Sequence, residues 1–136
     1  MKKIKKMSAA FLAAVMLISS LAVGASAYAW TDTFQVYKNQ GAKLSNAVPK
    51  WNTDSYFKME LKKGSSWYEG KEMIHARARD TGNNWASNLV STKYAGTFKP
   101  SYLSGHGAWG YSYKLAVQYD DDNPYDYAYV TVNWEP

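Results

Sequence analysis

Two segments near the C-terminal end of the sequence alternate between large apolar residues and small or polar ones. The apolar faces are formed by Tyr111, Tyr113, Leu115, Val117 and Tyr119 in the first segment and by Ala128, Val130, Val132 and Trp134 in the second. A period of two residues is the pattern of a β-strand that buries one of its sides. Because residues 120–124 between the segments are typical of a turn, the sequence predicts a β-hairpin here.

The same period runs through most of the sequence, and no segment carries the apolar stripe of an amphipathic helix. Alternation is clear in residues 30–37, 56–61 and 72–79 and weaker in residues 85–92 and 94–99, while residues 38–55 and 101–110 are polar or glycine-rich and predict loops. Six or seven short strands separated by turns indicate an all-β chain. We expect a single antiparallel β-sandwich or a small barrel.

The N-terminus has the three parts of a secretory signal peptide. Lys2, Lys3, Lys5 and Lys6 are followed by an apolar run over residues 9–18, and small residues permit cleavage after Ala27 or Ala29. The run is shorter than the roughly 20 apolar residues that span a membrane. We therefore expect residues 1–27 to be removed and the domain of residues 28–136 to be secreted without a stable membrane anchor.

Removal of this segment changes the charge of the protein. The chain has 16 basic and 11 acidic residues; four lysines and no acids lie in the signal, so 12 basic and 11 acidic residues remain, a net charge of +1. A nearly neutral domain gives no reason to expect nucleic-acid binding. The chain also lacks cysteine, so packing must stabilise the domain without disulfides. An exported, cysteine-free chain with this lysine-led signal is typical of Gram-positive bacteria.

The sequence contains no established catalytic motif. There is no His-Glu-x-x-His, no Gly-x-Ser-x-Gly and no cysteine nucleophile, and the two histidines, His75 and His106, are far apart. An enzyme would require the fold to bring His106 to an acid such as Asp120. The simpler interpretation of His106 is a surface imidazole in a glycine-rich loop, so we expect no enzymatic activity and no cofactor.

Two charged features have both a functional and an ordinary interpretation. His75, Arg77 and Arg79 share the outward face of one predicted strand, where they either meet an anionic glycan or phosphate polymer or form a solvated face. Asp120, Asp121, Asp122, Asn123 and Asp126 supply the oxygen ligands that Ca²⁺ requires. Their spacing is not that of an EF-hand loop, so we expect a charged tip that keeps the sheet soluble rather than a metal site.

Aromatic residues are the most informative part of the composition. The chain has 6 Trp, 12 Tyr and 4 Phe, and of these 22 only Phe11 lies in the signal, which leaves 21 in the predicted domain. One core cannot easily hide so many large rings, so some should lie at the surface and be available for stacking. The predicted aromatic surface consists of Tyr125, Tyr127, Tyr129, Trp109 and Trp67. The alternative for the three tyrosines is packing within the sheet.

The segment from Arg77 onward resembles small secreted proteins of Firmicutes that are grouped under domains of unknown function. The shared features are an Ala-Arg-Ala-Arg strand, an Asp/Asn/Gly turn, a glycine-rich loop, a tyrosine-rich strand and the ending Val-x-Trp-x-Pro. The resemblance implies a secreted β-sandwich and assigns no functional residue. Residues 107–111, Gly-Ala-Trp-Gly-Tyr, are also similar to a motif of the lactococcin 972-type bacteriocins, but the glycine pair of that motif is interrupted.

These observations lead to one functional expectation and one alternative. We expect a secreted, non-enzymatic module that binds a cell-wall or other extracellular polysaccharide, or a surface partner, through exposed aromatic rings. The alternative is a secreted antimicrobial protein of the bacteriocin kind, which small size and amphipathic aromatic strands also favour.

Overall fold

A computed structural model describes residues 30–62 and 66–136 of the chain. The predicted signal peptide lies outside these described residues. Within them the secondary structure is entirely β, with no helix, and none of it forms a helix long and apolar enough to cross a membrane. The strands are β1 (Trp30–Tyr37), β2 (Lys43–Leu44), β3 (Val48–Pro49), β4 (Lys58–Lys62), β5 (Ile74–Asp80), β6 (Val90–Thr92), β7 (Gly96–Phe98), β8 (Ser112–Tyr119) and β9 (Tyr127–Glu135).

The strands form two antiparallel sheets that pack face to face as a β-sandwich, as the alternation predicts. Sheet A has the order β1-β9-β4-β7, and sheet B has the order β2-β8-β5-β6, with β3 also paired to β8. The short strands β2 and β3 arise from residues 38–55, which the sequence predicted as a loop. The two longest central strands, β8 and β9, therefore each lie inside a different sheet.

The predicted hairpin of β8 and β9 is wrong. β8 pairs with β2, β3 and β5, whereas β9 pairs with β1 and β4. The connection over residues 120–126 takes the chain from sheet B to sheet A instead of folding it back beside β8. Alternation specifies which side of each strand is buried, and that requirement is met equally when two strands face each other across a core.

The core is built from the inward positions of both sheets. Phe57, just before β4, Met59 and Leu61 in β4, and Ile74, Ala76 and Ala78 in β5 are at most 1% exposed, which confirms the inward positions predicted for these segments. Burial of each large apolar side chain contributes about 1.5–3 kcal/mol. Tyr111 is the exception among the inward positions predicted for the segment that forms β8: it lies just before the strand and is exposed.

Aromatic rings close the core beside the last strand. Trp134 stacks on Phe57 with a centroid distance of 5.5 Å and an interplanar angle of 22°. The indole N–H of Trp134 donates a hydrogen bond of 2.7 Å to Asp32 on β1. A buried tryptophan needs such an acceptor for its single polar group, so this contact adds a side-chain link between the edge strand β1 and its neighbour β9.

Candidate functional site

The three tyrosines at the start of β9 lie on the outer face of sheet A. Tyr125, Tyr127 and Tyr129 are 43%, 47% and 43% exposed, while Ala128 between the last two is buried. In the ladder with β1, Tyr127 lies opposite Tyr37 and Tyr129 lies opposite Gln35. The period of β9 thus directs Tyr127 and Tyr129 outward, as the sequence predicted, and Tyr125 is exposed just before the strand.

Two further rings extend this cluster into a larger surface. The ring of Tyr37 lies 5.9 Å from Tyr127, and Tyr68 lies 5.0 Å from Tyr125. We call Tyr37, Tyr68, Tyr125, Tyr127 and Tyr129 the tyrosine surface. Tyr68 comes from the connection between β4 and β5, and its proximity to Tyr125 has no signal in the local sequence.

The rings of the tyrosine surface are not coplanar. Tyr127 and Tyr129 meet edge to face at 89°, and the planes of Tyr68 and Tyr125 differ by 35°. A cleft of about 330 Å³ is lined by Ser66, Tyr68, Tyr125, Asp126 and Tyr127. The arrangement is suited to a ligand held between ring faces and the polar groups of Ser66 and Asp126, rather than to a flat chain stacked along one plane.

Trp109 is exposed, but it belongs to a different aromatic pair. Its side chain is 62% exposed and its ring lies 5.0 Å from that of Trp51, at an angle of 62°. The backbone holds this pair together, because the N–H of Gly110 donates to the carbonyl of Lys50 at 2.8 Å. The ring partner of Trp109 is thus in the connection between β3 and β4 and not in the tyrosine surface.

The prediction of Trp67 as an exposed binding residue is wrong. Its side chain is 3% exposed, and its indole N–H donates a hydrogen bond of 3.0 Å to the backbone carbonyl of Glu72. Glu72 is itself buried, and its carboxylate accepts from the Tyr119 hydroxyl and from the backbone N–H of Tyr68. Trp67 is therefore part of the packing that fixes this connection and is not available to a ligand.

A second concave site lies on the outer face of sheet B. A groove of about 310 Å³ is lined by His75, Arg77 and Arg79 of β5, together with Trp85, Leu89 and Gln118. We call it the arginine groove. The alternation of β5 predicts the outward direction of its first three residues. The presence of Trp85 depends on the turn over residues 80–84, which returns the chain alongside β5 through a bridge between Arg79 and Trp85.

The two guanidinium groups of this groove lie in it with an aromatic ring rather than with a carboxylate of the described residues. Within the described residues, neither Arg77 nor Arg79 forms an ion pair, and the buried Nε of Arg79 has no hydrogen-bond partner. The Arg77 guanidinium lies 4.2 Å from the centroid of the Trp85 ring. Burial, and secondarily the nearby Arg79, lowers the pKa of Arg77 from its ordinary value. The groove thus presents positive charge next to an aromatic face.

His75 at the end of this groove is held from two sides. Its Nδ1 lies 2.8 Å from the hydroxyl of Ser91, and its Nε2 lies 2.7 Å from the carboxylate of Asp120. The register of the sheet accounts for the serine contact, because His75 and Ser91 are directly opposite each other on β5 and β6. We interpret the two contacts as positioning of the imidazole.

The pair of residues considered for catalysis is not brought together. Asp120 follows the last residue of β8, whereas the ring of His106 lies 6.5 Å from that of Tyr113 near the other end of the strand. Seven strand residues at about 3.3 Å each separate the two ends. His106 instead shares a shallow cavity with Asp80 and Tyr111.

The acidic turn is organised by hydrogen bonds within the protein. Asp120 accepts from His75 and from the backbone N–H of Asp122, and Asp121 accepts from the backbone N–H of Asn39 at 2.8 Å. The described residues contain no group of three or more acidic, histidine or cysteine side chains that could hold a metal ion. These contacts direct the carboxylates of the turn to different partners.

Comparison with known proteins adds no assignment to this geometry. The chain matches no protein-family model, and neither the curated proteins nor the solved structures contain a match to it. The two surfaces must therefore be interpreted from their own chemistry.

Proposed function

We propose that this protein is a secreted, non-enzymatic module that binds an extracellular polysaccharide through the tyrosine surface. The observation that carries the proposal is the cluster of five tyrosines around the start of β9, three of them 43–47% exposed and bordered by Ser66 and Asp126. A sugar ring has apolar C–H faces and a polar rim, and such a ligand is matched by ring faces next to hydroxyl and carboxylate groups.

The ring geometry specifies how such a ligand is held. Because Tyr127 and Tyr129 meet at 89°, one sugar residue cannot stack on both rings at once. The cleft between Tyr68, Tyr125 and Tyr127 instead accommodates one or two residues of a glycan, with the phenol hydroxyls and Asp126 available to sugar hydroxyls. A chain that leaves this cleft then passes over Tyr129 and Tyr37.

Retention of the purified protein on insoluble cell walls and polysaccharides tests the proposal. We expect retention of the unmodified protein and a loss of about tenfold or more in affinity for the triple variant Tyr125→Ala/Tyr127→Ala/Tyr129→Ala, because three aromatic contacts are removed. Tyr111→Ala is the matched control, since Tyr111 is 67% exposed but lies outside the tyrosine surface. Equal retention of both variants would contradict the proposal.

The antimicrobial alternative makes a different prediction. A protein of the bacteriocin kind clears a lawn of related bacteria in a halo assay, and a module that only binds leaves the lawn intact. Clearing by the unmodified protein would therefore replace the binding proposal.

Secretion is part of the proposal and has its own test. In a secreting bacterial host we expect the protein in the culture medium with Tyr28 or Trp30 as its first residue, as the small residues before each position permit. N-terminal sequencing distinguishes these two starts. Full-length protein that stays with the membrane fraction would contradict secretion.

A further inference from the structure

We propose that the arginine groove binds a carboxylate-bearing sugar residue of an acidic polysaccharide. The groove is on the outer face of sheet B, and the tyrosine surface is on the outer face of sheet A. The inference is therefore independent of the tyrosine surface and adds a second ligand class, uronate sugars, to the proposed function.

The distribution of basic residues is the first argument. Arg77 and Arg79 are the only arginines of the sequence, and both line this one groove. Apart from the two histidines, every other basic residue of the chain is a lysine. The planar guanidinium group binds a carboxylate through two parallel hydrogen bonds, which a lysine ammonium cannot do. Because no carboxylate of the described residues pairs with either group, the two together offer a site for an external anion.

The aromatic ring of Trp85 forms one wall of the groove. Trp85 is 61% exposed although it lines the groove. The guanidinium of Arg77 occupies one place on its ring at 4.2 Å, and the remaining exposed ring is available for the C–H face of a sugar. Leu89, 47% exposed, adds an apolar contact, and the side-chain amide of Gln118 offers both a donor and an acceptor.

The groove is assembled before any ligand arrives. Trp85 is carried by the turn over residues 80–84, in which the carboxylate of Asp80 accepts hydrogen bonds from the backbone N–H and the side-chain amide of Asn84. His75 is fixed by Asp120 and Ser91 on the other side of the arginines. Side chains that are already held in place lose little conformational entropy on binding.

Uronate sugars match this arrangement better than phosphate polymers do. A uronate residue carries its carboxylate on the same ring whose C–H face stacks on an aromatic side chain, so one residue engages Trp85 and Arg77 together. A poly(glycerol phosphate) chain supplies the negative charge but no ring. The groove volume of about 310 Å³ is at the lower end of the range for small-ligand sites, which suits one or two sugar residues.

Calorimetric titration of the intact protein with an oligogalacturonate tests the inference. We expect binding that weakens as salt is added, because charge contributes to it, and no binding of a malto-oligosaccharide of equal length. Arg77→Gln and Trp85→Ala should each lower the affinity about tenfold or more. Arg77→Lys keeps the charge but loses the planar fork, so it should also weaken binding.

Lys58→Gln is the charge-matched control, because Lys58 is exposed on the outer face of sheet A and its loss removes the same single charge. Unchanged affinity in Arg77→Gln, or an equal loss in Lys58→Gln, would overturn the inference, as would equal binding of poly(glycerol phosphate). Thermal unfolding of each variant verifies that it is folded. The triple tyrosine variant should bind the oligogalacturonate as the unmodified protein does, so failure of this site and failure of the tyrosine surface are distinguishable.

Discussion

The imidazole Nε2 of His75 and the carboxylate of Asp120 lie 2.7 Å apart, at the point where the chain leaves sheet B for sheet A. His75 is the second residue of β5, whereas Asp120 is the first residue after β8. The contact thus connects one wall of the arginine groove to the start of the crossing between the sheets. A change at this pair is expected to affect both stability and the shape of the groove.

The first prediction concerns the pH dependence of this pair. The hydrogen bond from His75, and then the backbone N–H of Asp122, lowers the pKa of Asp120 from its ordinary value of 3.8. A carboxyl group whose pKa is depressed by folding contributes stability at pH values above its unfolded pKa, and that contribution is lost as the pH falls through the folded pKa. Asp120→Asn should therefore lower the free energy of unfolding at pH 6–7 by about 0.5–1 kcal/mol.

Urea denaturation between pH 7 and pH 3 measures this effect. The difference between the unmodified protein and Asp120→Asn should shrink as the pH falls below about 4. Asp122→Asn is the control, because the hydrogen bond from residue 122 to Asp120 uses its backbone N–H and not its side chain. A difference that persists unchanged at pH 3 would rule out the carboxylate charge as its source.

Among the glycines that the structure describes, Gly107 is predicted to be the one whose replacement costs most stability. Its φ is +88°, and a Cβ at this position would lie 2.6 Å from the ring of Tyr102. Its backbone N–H also donates to the hydroxyl of Tyr113 at 2.6 Å. Gly107→Ala combines left-handed strain with a steric clash, so we expect a loss of about 3 kcal/mol or more in the free energy of unfolding.

Gly105→Ala separates these two causes. Gly105 has a similar φ of +83°, but nothing lies within 4 Å of a Cβ placed there. Its replacement should cost about 1–2 kcal/mol from backbone strain alone. Urea denaturation of both variants measures the difference, and equal losses would show that the contact with Tyr102 does not matter.

Removal of the buried hydroxyls of Tyr119 and Tyr102 should have different effects on the free energy of unfolding. The hydroxyl of Tyr119 donates to the buried carboxylate of Glu72, so Tyr119→Phe leaves that carboxylate without this donor and should cost about 1–3 kcal/mol. The hydroxyl of Tyr102 is buried and has no hydrogen-bond partner among the described residues. Tyr102→Phe removes an uncompensated polar atom and should be neutral or stabilising. Chemical denaturation of the two variants, side by side, gives the comparison directly.

The burial pattern of single strands follows from the sequence because the period of a strand is fixed by its backbone. Residues 72–79 suffice to place Ile74 and Ala76 inside and His75 and Arg77 outside, and the structure agrees. The partner of a strand does not follow in the same way. β8 and β9 would show the same alternation as a hairpin or as strands of opposing sheets, and only the contacts of residues 120–126 decide between the two.

The candidate sites were predictable only in part for a related reason. The outward tyrosines of β9 and the outward arginines of β5 follow from alternation. The positions of Tyr68 and Trp85 depend on connections whose paths are set by long-range contacts. Trp67 shows the limit of prediction from sequence. An aromatic residue beside a turn is usually accessible, but Trp67 is buried. Here the buried Glu72, fixed by Tyr119 from β8, draws the indole inward.

The crossing between the sheets depends on one side chain in particular, and this leads to the last prediction. The side chain of Asn123 is 3% exposed and pairs with the backbone of Met73: its carbonyl accepts at 2.7 Å and its amide donates at 2.9 Å. Asn123 therefore takes the place of a strand residue beside the start of β5. The ammonium group of Lys38 donates a hydrogen bond of 2.9 Å to the backbone carbonyl of Asn123.

Asn123→Ala removes both hydrogen bonds. The N–H of Met73 then has no partner in the turn, whereas its carbonyl still accepts from the backbone N–H of Asp120 at 3.2 Å. We expect a loss of about 1–3 kcal/mol in the free energy of unfolding, the cost of one backbone group left unpaired away from water. Asn123→Asp keeps the acceptor but loses the donor, so it should fall between Asn123→Ala and the unmodified protein. Asp121→Ala, in the same turn, removes one exposed contact to Asn39 and should cost less than about 1 kcal/mol. If urea denaturation gave Asp121→Ala and Asn123→Ala equal stability, the crossing would be held by the turn as a whole and not by the Asn123 side chain.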